Sequence, residues 1–265
     1  MSSKIALRVG SLGYLTIILL APLVMMFWRT FQDLGGAWDA VTQHSTLLAF
    51  KLTLEVTAIA VPLNTIFGVI CALAIVRRRF PGKGLVNAFV DLPLALSPVV
   101  VGVSLFLLYG RNGWFGHFLL DHNFQVLFAL PSIVLATLFV SLPFVAREVV
   151  PTLREIGEEQ EQAAYTLGAS KWQTFWRITL PAIRWAVIYG VVLTTARCLG
   201  EFGAVAVVSG NIENKTQTAT LRVDDAYQFA YGNYAPAYGI SLVLALLAIL
   251  VLVTMLLIRP KEATL

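Results

Sequence analysis

The sequence predicts an all-α membrane protein with six transmembrane helices, on the basis of its composition, its apolar stretches and the distribution of its basic residues. Hydrophobic residues make up 58% of the 265 residues, charged residues only 13%, and the mean hydropathy is +0.77. A soluble domain is about 25% charged, so this chain has too few charges to cover a soluble globule. Disorder is excluded as well, because disordered chains are hydrophilic and highly charged.

Six apolar stretches are long enough to cross a bilayer, which takes about 20 mostly apolar residues. They lie at about residues 9–27, 53–76, 86–108, 126–145, 183–208 and 236–258. Each is predicted to be a helix, because lipid cannot satisfy the unpaired backbone groups of an open strand edge. The first stretch follows Lys4 and Arg8, as a signal peptide would. Its apolar run is longer than a signal core and no small-residue cleavage site follows cleanly, so it is interpreted as a span.

Lys and Arg residues are concentrated on one side of the predicted membrane. Cytoplasmic segments of membrane proteins carry an excess of these residues, which predicts that both termini are cytoplasmic. External loops are then expected near residues 32–52, 109–125 and 209–235. The bias also explains the net charge of +4 without a nucleic-acid partner. Of the 19 basic residues, the cytoplasmic 13 are Lys4, Arg8, Arg77, Arg78, Arg79, Lys83, Arg147, Arg154, Lys171, Arg177, Arg184, Arg259 and Lys261.

Two charged residues, Arg197 and Glu201, lie within the fifth stretch. A charge at the centre of a span costs about 2.5–3.5 kcal/mol on insertion scales. The two residues are four apart, so they share a helical face and can neutralise each other. One interpretation is an ion pair that holds the fifth span to a neighbour. The other is that Arg197 supplies positive potential to a passing anion while Glu201 holds it in place.

Four hydroxyl side chains complete a predicted polar stripe in the spans. They are Ser97, Ser104, Thr194 and Thr195. The stripe suits the path of a hydrated anion, but a packed interface of small residues gives the same pattern, and such hydroxyls often bond their own helix. Next to Ser97, Pro98 removes an intrahelical hydrogen bond and is predicted to kink the third span.

The cytoplasmic segment between the fourth and fifth spans, residues 146–182, is predicted to form two short helices in an L. Gly168 suits the C-terminal cap of the first helix, and Pro181 is predicted to end the second. Acidic residues lie near the start of the first helix, where the helix dipole favours negative charge. They are Glu155, Glu158, Glu159 and Glu161.

Two interpretations of this segment are open from the residues alone. Ala163, Ala164 and Leu167 give the first helix a small, smooth face that suits a partner's groove. The second helix carries Trp172, Phe175 and Trp176 on one face, as an amphipathic segment anchored to lipid headgroups would.

The same segment carries a motif with fixed spacing. It reads Gln162-Ala163-Ala164, three residues, Gly168, nine residues and Ile178-x-Leu180-Pro181. This pattern resembles the EAA signature of inner-membrane permease subunits of ABC importers. The resemblance implies the type I importer permease fold over residues 1–265 as one transmembrane domain, with 146–182 as a coupling loop that docks on an ATPase. Gln162 stands where the family usually has Glu, and Glu161 before it is a candidate replacement.

Further stretches resemble the sulfate/thiosulfate branch of this family, closest to its W-type subunits, with molybdate and tungstate permeases as relatives. They are residues 91–93, 96–100, 144–148, 195–204 and 207–212. The resemblance implies a bacterial inner-membrane subunit without a catalytic site or cofactor of its own. Its implied partners are a T-type permease subunit, an ATPase dimer that binds ATP and Mg, an external sulfate-binding protein and membrane lipid.

The external loop at residues 209–218 has a glycine ahead of Lys215-Thr216, as in a phosphate-binding loop. It lacks the second glycine, its spacing is one residue short and no strand precedes it, so nucleotide binding is rejected. By the resemblance, this loop faces the docked binding protein, with Asn211, Glu213 and Lys215 as candidate contacts.

Two other classes of membrane protein fit the sequence poorly. A secondary transporter favours broken helices in related halves and a channel favours rings of charge, and neither is apparent. A membrane-embedded enzyme needs catalytic groups at depth, whereas His44, His117 and His122 all fall in predicted external loops. Cys71 and Cys198 lie in apolar stretches and form no metal-ligand cluster.

Overall fold

The computed structural model describes residues 2–258, without the side chains of residues 2–9, 12, 19, 256 and 258. Arg259 and Lys261 of the predicted cytoplasmic set lie outside the described residues, as do the side chains of Lys4 and Arg8. The described part contains 14 α-helices, one π-helical segment and no strand. The helices are α1 Ser2–Gln32, α2 Leu34–Thr42, α3 His44–Arg77, α4 Lys83–Ala95, α5 Pro98–Tyr109, α6 Gly116–Asp121, α7 Leu130–Ser141, α8 Pro143–Glu155, α9 Glu159–Thr166, α10 Lys171–Thr174, the π-helical segment Phe175–Thr179, α11 Leu180–Leu199, α12 Gly203–Val208, α13 Ala219–Gln228 and α14 Ala235–Ile258.

The all-α prediction is confirmed. The predicted number of six membrane spans is not confirmed by the observed helices. Five segments within residues 2–258 are long and apolar enough to cross a membrane: Gly13–Gln32, His44–Arg77, Leu130–Glu155, Lys171–Leu199 and Ala235–Met255. The pair α4 and α5 passes the same test only together, and its two helices are bent by 111°. The number is therefore five, or six if the bent pair crosses as one span.

The third predicted stretch, 86–108, is broken rather than kinked. α4 ends at Ala95, Leu96 and Ser97 are extended, and α5 starts at Pro98. A residue that precedes proline is pushed out of the helical region, and proline fits the first turn of a helix because its missing N–H has no helical partner there. Pro98 therefore starts a new helix at a new angle.

The fourth stretch extends further than the predicted 126–145. α7 and α8 follow each other with Leu142 between them, and α8 continues to Glu155. Val145, Val149 and Leu153 on α8 are fully buried. The first ten residues assigned from the sequence to the cytoplasmic loop 146–182 thus belong to a packed helix.

The fifth stretch differs from the prediction at both ends. Upstream, the π-helical segment links α10 to α11, so Pro181 does not end the second short helix but lies in the first turn of α11, where proline is tolerated. Downstream, α11 ends at Leu199 and a break at residues 200–202 precedes α12. The predicted continuous span 183–208 is therefore two helices.

Helices α3, α8 and α11 approach each other most closely at Val145. A Cβ atom on Gly68 of α3 would lie 2.7 Å from Val145 Cβ, and one on Gly190 of α11 would lie 2.8 Å from Val145 Cα. Small residues at such crossings allow backbones to pack tightly in a membrane. This contact lies in a buried apolar cluster that extends to Leu153 and Ile183, and the cluster holds together the C-terminal parts of α3 and α8 and the N-terminal part of α11.

Candidate functional site

Two short helices form a hairpin, residues 159–174, between α8 and the π-helical segment, in agreement with the sequence prediction. α9 ends at Gly168 with φ of +85°, and the Ala169 N–H bonds the Ala164 carbonyl at 3.0 Å, as in a glycine-ended helix cap. α10 starts with a capping box, in which the Ser170 and Gln173 side chains each accept the other's backbone N–H. The residues between α8 and α10 thus fold by local signals.

Glu161 of α9 points towards its own chain. Its Oε2 lies 3.0 Å from Nε of Arg77, the last residue of α3, and its Oε1 accepts the Thr179 hydroxyl at 2.8 Å. The Glu161 and Arg77 side chains are 13% and 12% exposed. This internal position argues against Glu161 as the residue that takes over a surface contact from Gln162.

The exposed tip of the hairpin consists of Gln162, Ala163, Leu167 and Gly168. Leu167 is 88% exposed, while Ala164 is buried. Of the motif residues, Gln162, Ala163 and Gly168 are therefore exposed at the tip.

The remaining motif residues position the hairpin rather than extend its surface. Ile178 and Leu180 are half-buried, and Leu180 packs against the apolar cluster of α3, α8 and α11. Pro181 is exposed in the first turn of α11. The second half of the motif therefore anchors the hairpin to the membrane helices.

Arg197 and Glu201 form the ion pair that their spacing predicted. Arg197 Nη2 lies 2.7 Å from Glu201 Oε2, with side-chain exposures of 31% and 2%. The other carboxylate oxygen accepts the Ala204 N–H at 3.0 Å in the first turn of α12. Glu201 thus bridges the break between α11 and α12, and Arg197 presents part of its guanidinium at the surface.

The four hydroxyl residues of the predicted stripe do not share one environment. Thr194 is fully buried and donates to the Gly190 carbonyl at 2.7 Å, and Thr195 donates to the Val191 carbonyl at 2.8 Å. Ser104 is exposed and donates to the Val100 carbonyl at 2.9 Å. Ser97 is exposed in the break between α4 and α5. Three of the four hydroxyls thus bond their own helix.

Residues 209–228, which we name the outer segment after their predicted external position, are tied to the bundle by side chains. The Asp225 carboxylate accepts Asn211 Nδ2 at 2.8 Å and Gln217 Nε2 at 2.5 Å. The Thr53 hydroxyl of α3 accepts the Ala219 N–H at 2.9 Å. Asn211, a predicted partner contact, is therefore held within the segment.

The other two predicted contacts of this segment, Glu213 and Lys215, are exposed. Glu213 Oε1 lies 3.4 Å from Arg222 Nη1. The Arg222 guanidinium also donates to Gln43 Oε1 at 2.6 Å, so this pair connects the outer segment to the start of α3.

Sequence reasoning missed several polar residues that organise the structure. Asp91 forms an ion pair with Arg147 of α8, because α4 folds back against that helix. Asn64 in α3 donates to Ser141 Oγ at 2.8 Å and to the Leu138 carbonyl at 3.1 Å. For Asn64, an amide side chain inside an apolar stretch could have indicated a buried hydrogen bond. For Arg77, no local sequence pattern indicates that its partner is Glu161.

The fold and the hairpin together define a class of membrane transport component. The sequence profile of the binding-protein-dependent transport system inner membrane component matches residues 64–263. The chain belongs to this family, which confirms the resemblance found in the sequence.

The particular relatives are sulfate permeases. The chain is 52% identical over 219 residues to the sulfate transport system permease protein CysW of Synechococcus elongatus, covering 82% of this chain and 77% of that protein. It is 48% identical to CysW of Synechocystis sp., covering 92% and 88%. Identity to the CysT protein of Synechococcus elongatus is 39%, covering 90% and 86%.

Solved structures share the fold at low sequence identity. A bacterial alginate ABC transporter in complex with a periplasmic protein bound to an alginate pentasaccharide gives a TM-score of 0.80 at 16% identity, covering 95% of this chain and 92% of that one. The inward-facing MetNI methionine ABC transporter gives 0.56 at 16% identity, covering 88% and 95%. The permease fold of ABC importers predicted from the sequence is confirmed.

Proposed function

We propose that this chain is the W-type permease subunit of an ATP-driven sulfate/thiosulfate importer. The observation that carries the proposal is 52% identity over 82% of the chain to a protein named as a sulfate transport permease. The hairpin supports it, because an exposed tip mounted on the inner ends of three membrane helices suits a contact that transmits movement.

The working complex would contain this chain, a T-type permease subunit, an ATPase dimer that binds ATP and Mg, and an external sulfate-binding protein. The similarity of the chain to both CysW and CysT proteins supports pairing of two related permease subunits. We propose that the hairpin and both termini are cytoplasmic and that the outer segment faces the binding protein, which the bias of basic residues supports. The location is the bacterial inner (plasma) membrane.

In the proposed cycle, ATP binding closes the ATPase dimer, and the docked hairpin moves with it. That movement rocks the helices anchored to the hairpin and opens the path towards the binding protein, which delivers sulfate. Hydrolysis returns the path to the inward-facing state. This chain contributes one lever and half of the path, while the ATPase hydrolyses ATP.

The Arg197–Glu201 pair is proposed to line the gate of that path, together with Ser97, Ser104, Thr194 and Thr195. When no substrate is present, Glu201 neutralises Arg197, which lowers the cost of a charge at this depth. A carboxylate beside the guanidinium opposes tight binding of a dianion. The pair therefore suits transient passage of sulfate rather than a high-affinity pocket.

The function is tested by uptake of radiolabelled sulfate into proteoliposomes that contain the assembled importer, its binding protein and internal ATP. We expect ATP-dependent uptake that unlabelled sulfate and thiosulfate inhibit and molybdate does not. Strong inhibition by molybdate or tungstate with weak inhibition by thiosulfate would instead assign the chain to an importer of another oxyanion. Uptake without ATP would contradict the importer class.

The gate is tested by Arg197→Ala. Loss of the guanidinium is expected to abolish sulfate uptake. The double variant Arg197→Ala/Glu201→Gln should abolish it while the complex still assembles, because no unpaired buried carboxylate remains and a side-chain oxygen can still accept the Ala204 N–H. Arg184→Ala is the control, since Arg184 lies at the inner end of α11 over the Trp185 ring. Wild-type uptake by Arg197→Ala would remove Arg197 from the path.

A further inference from the structure

A glycine turn joins each end of α9 to the rest of the chain. Gly157 before it has φ of +66° and Gly168 after it has φ of +85°, so α9 lies between two left-handed turns. Its one buried residue is Ala164. A helix of eight residues has little stability of its own, and a push on the tip could be absorbed by bending at the two glycines.

The side chain of Arg77 links α9 to the membrane helices through hydrogen bonds. Besides its Nε contact with Glu161, its Nη1 donates to the Leu153 carbonyl at 3.0 Å and its Nη2 to the Gly157 carbonyl at 2.6 Å. Leu153 lies in the last turn of α8, whose carbonyls have no helical partner. One guanidinium thus joins α3, the end of α8, the turn before α9, and α9 itself.

Glu161 extends this arrangement to the start of the fifth span. Its second oxygen accepts the hydroxyl of Thr179, a buried residue at the end of the π-helical segment. We name the set Arg77, Glu161 and Thr179 the clasp. Charge-assisted hydrogen bonds between nearly buried groups are stronger and more directional than neutral ones, so the clasp holds α9 in one orientation relative to three membrane helices.

The surroundings of the clasp show that α9 is not otherwise packed against α3. A cleft of about 750 Å³ lies between the inner end of α3 and the hairpin, and Arg77, Glu161 and Thr179 line it together with Tyr165 and Lys171. With open volume between the two elements, apolar packing between α9 and α3 contributes little to their register. The hydrogen bonds of the clasp supply the direct link between them.

We propose that the clasp makes the hairpin a rigid lever, so that Arg77 and Glu161 are positioning residues for coupling. The proposal rests on the proposed importer function, in which a partner ATPase moves the hairpin tip. With the clasp intact, displacement of α9 moves the inner ends of α3, α8 and α11 together. Without it, α9 turns about Gly157 and Gly168, and ATP is hydrolysed with little movement of the spans.

The test compares Arg77→Gln and Glu161→Gln with Arg79→Gln, a matched control on an exposed arginine two residues away. Sulfate delivered per ATP hydrolysed is measured in proteoliposomes that contain the whole importer. We expect the ratio to fall about tenfold in both clasp variants, within the usual range of coupling between sites, while the ATPase still co-purifies. The double variant should be no worse than Arg77→Gln alone, because that substitution already removes the ion pair with Glu161. Wild-type ratios in the clasp variants, or an equal fall in Arg79→Gln, would overturn the proposal.

A second measurement separates the clasp from overall folding and from the proposed function. Hydrogen exchange of the α9 backbone amides is compared in the same purified complexes, with Thr179→Val as a milder variant that removes one bond only. Faster exchange confined to α9 in all three clasp variants is expected. Unchanged exchange would refute the clasp, whereas faster exchange in the variants, combined with no sulfate transport by the wild-type complex, would refute only the proposed function.

Discussion

The hairpin and the outer segment are both connections between membrane helices, yet they are held in opposite ways. In the hairpin, α9 buries one residue, lies between two glycine turns and depends on the distant side chains of the clasp. In the outer segment, Thr216, Gln217, Thr218 and Ala219 are all buried, and Asp225 is bonded by two amides of the same segment. Regions that move have few buried contacts of their own, so this difference suits the proposed roles of the hairpin as a moving part and of the outer segment as a fixed one.

The proposed cycle gives this difference a purpose. A lever has to expose its tip to the ATPase and transmit force through one defined attachment. The surface that receives a binding protein has to keep its shape in each cycle. Substitutions in the outer segment should therefore reduce stability, and those in the hairpin should reduce transport with little loss of stability.

The largest loss of stability is expected for Asp225→Ala. Removal of the carboxylate leaves the Asn211 amide without this acceptor and the Gln217 amide with Asn211 Oδ1 alone, and hydrogen bonds to a charged group contribute about 1.5–3 kcal/mol each. We expect a destabilisation of about 2–4 kcal/mol, seen as a lower midpoint of thermal unfolding in detergent. Asp224→Ala is the control, because Asp224 accepts a hydrogen bond from the exposed Gln228 on its own helix. Equal shifts of the unfolding midpoint in the two variants would show that the hydrogen bonds of Asp225 do not stabilise the outer segment, and would contradict its proposed difference from the hairpin.

A smaller loss is expected for substitutions at Gly168. An L residue with φ of +85° is strained by about 1–2 kcal/mol, but among the described residues beyond its two chain neighbours a Cβ there would meet no atom within 4 Å. Gly168→Ala and Gly168→Trp should therefore unfold at similar temperatures, while only the bulky indole blocks docking at the tip. Loss of sulfate uptake in the Trp variant alone is the expected result. Wild-type uptake by Gly168→Trp would contradict the lever.

The smallest change in stability is expected for Leu167→Ser, below about 0.5 kcal/mol, because the side chain projects from the surface. Its effect on co-purification of the ATPase should nevertheless be large, since a truncated contact residue at the centre of an interface weakens binding about tenfold or more. Trp114→Ser is a matched control on an equally exposed apolar residue, 88% exposed near α6. If both variants retain the ATPase equally, the tip is not the docking surface.

Much of this protein was determined by local sequence. Apolar length predicted the membrane helices, and Gly168, Ser170 and Gln173 fold the hairpin through cap interactions that span only a few residues. The fixed spacing from Gln162 to Pro181 identified the family before any contact was known. The Arg197–Glu201 pair was predictable for the same reason, because residues four apart on a helix are neighbours.

The tertiary structure alone decided where the helices break and which polar groups meet. Pro98 was expected to kink a span, but the 111° bend arises where α4 folds back against α8 and Asp91 meets Arg147. Arg77 and Glu161 are 84 residues apart, and Thr53 and Ala219 are 166 apart. Such partners depend on which helix faces come together, and that depends on close packing around residues such as Gly68 and Val145, which no local pattern encodes.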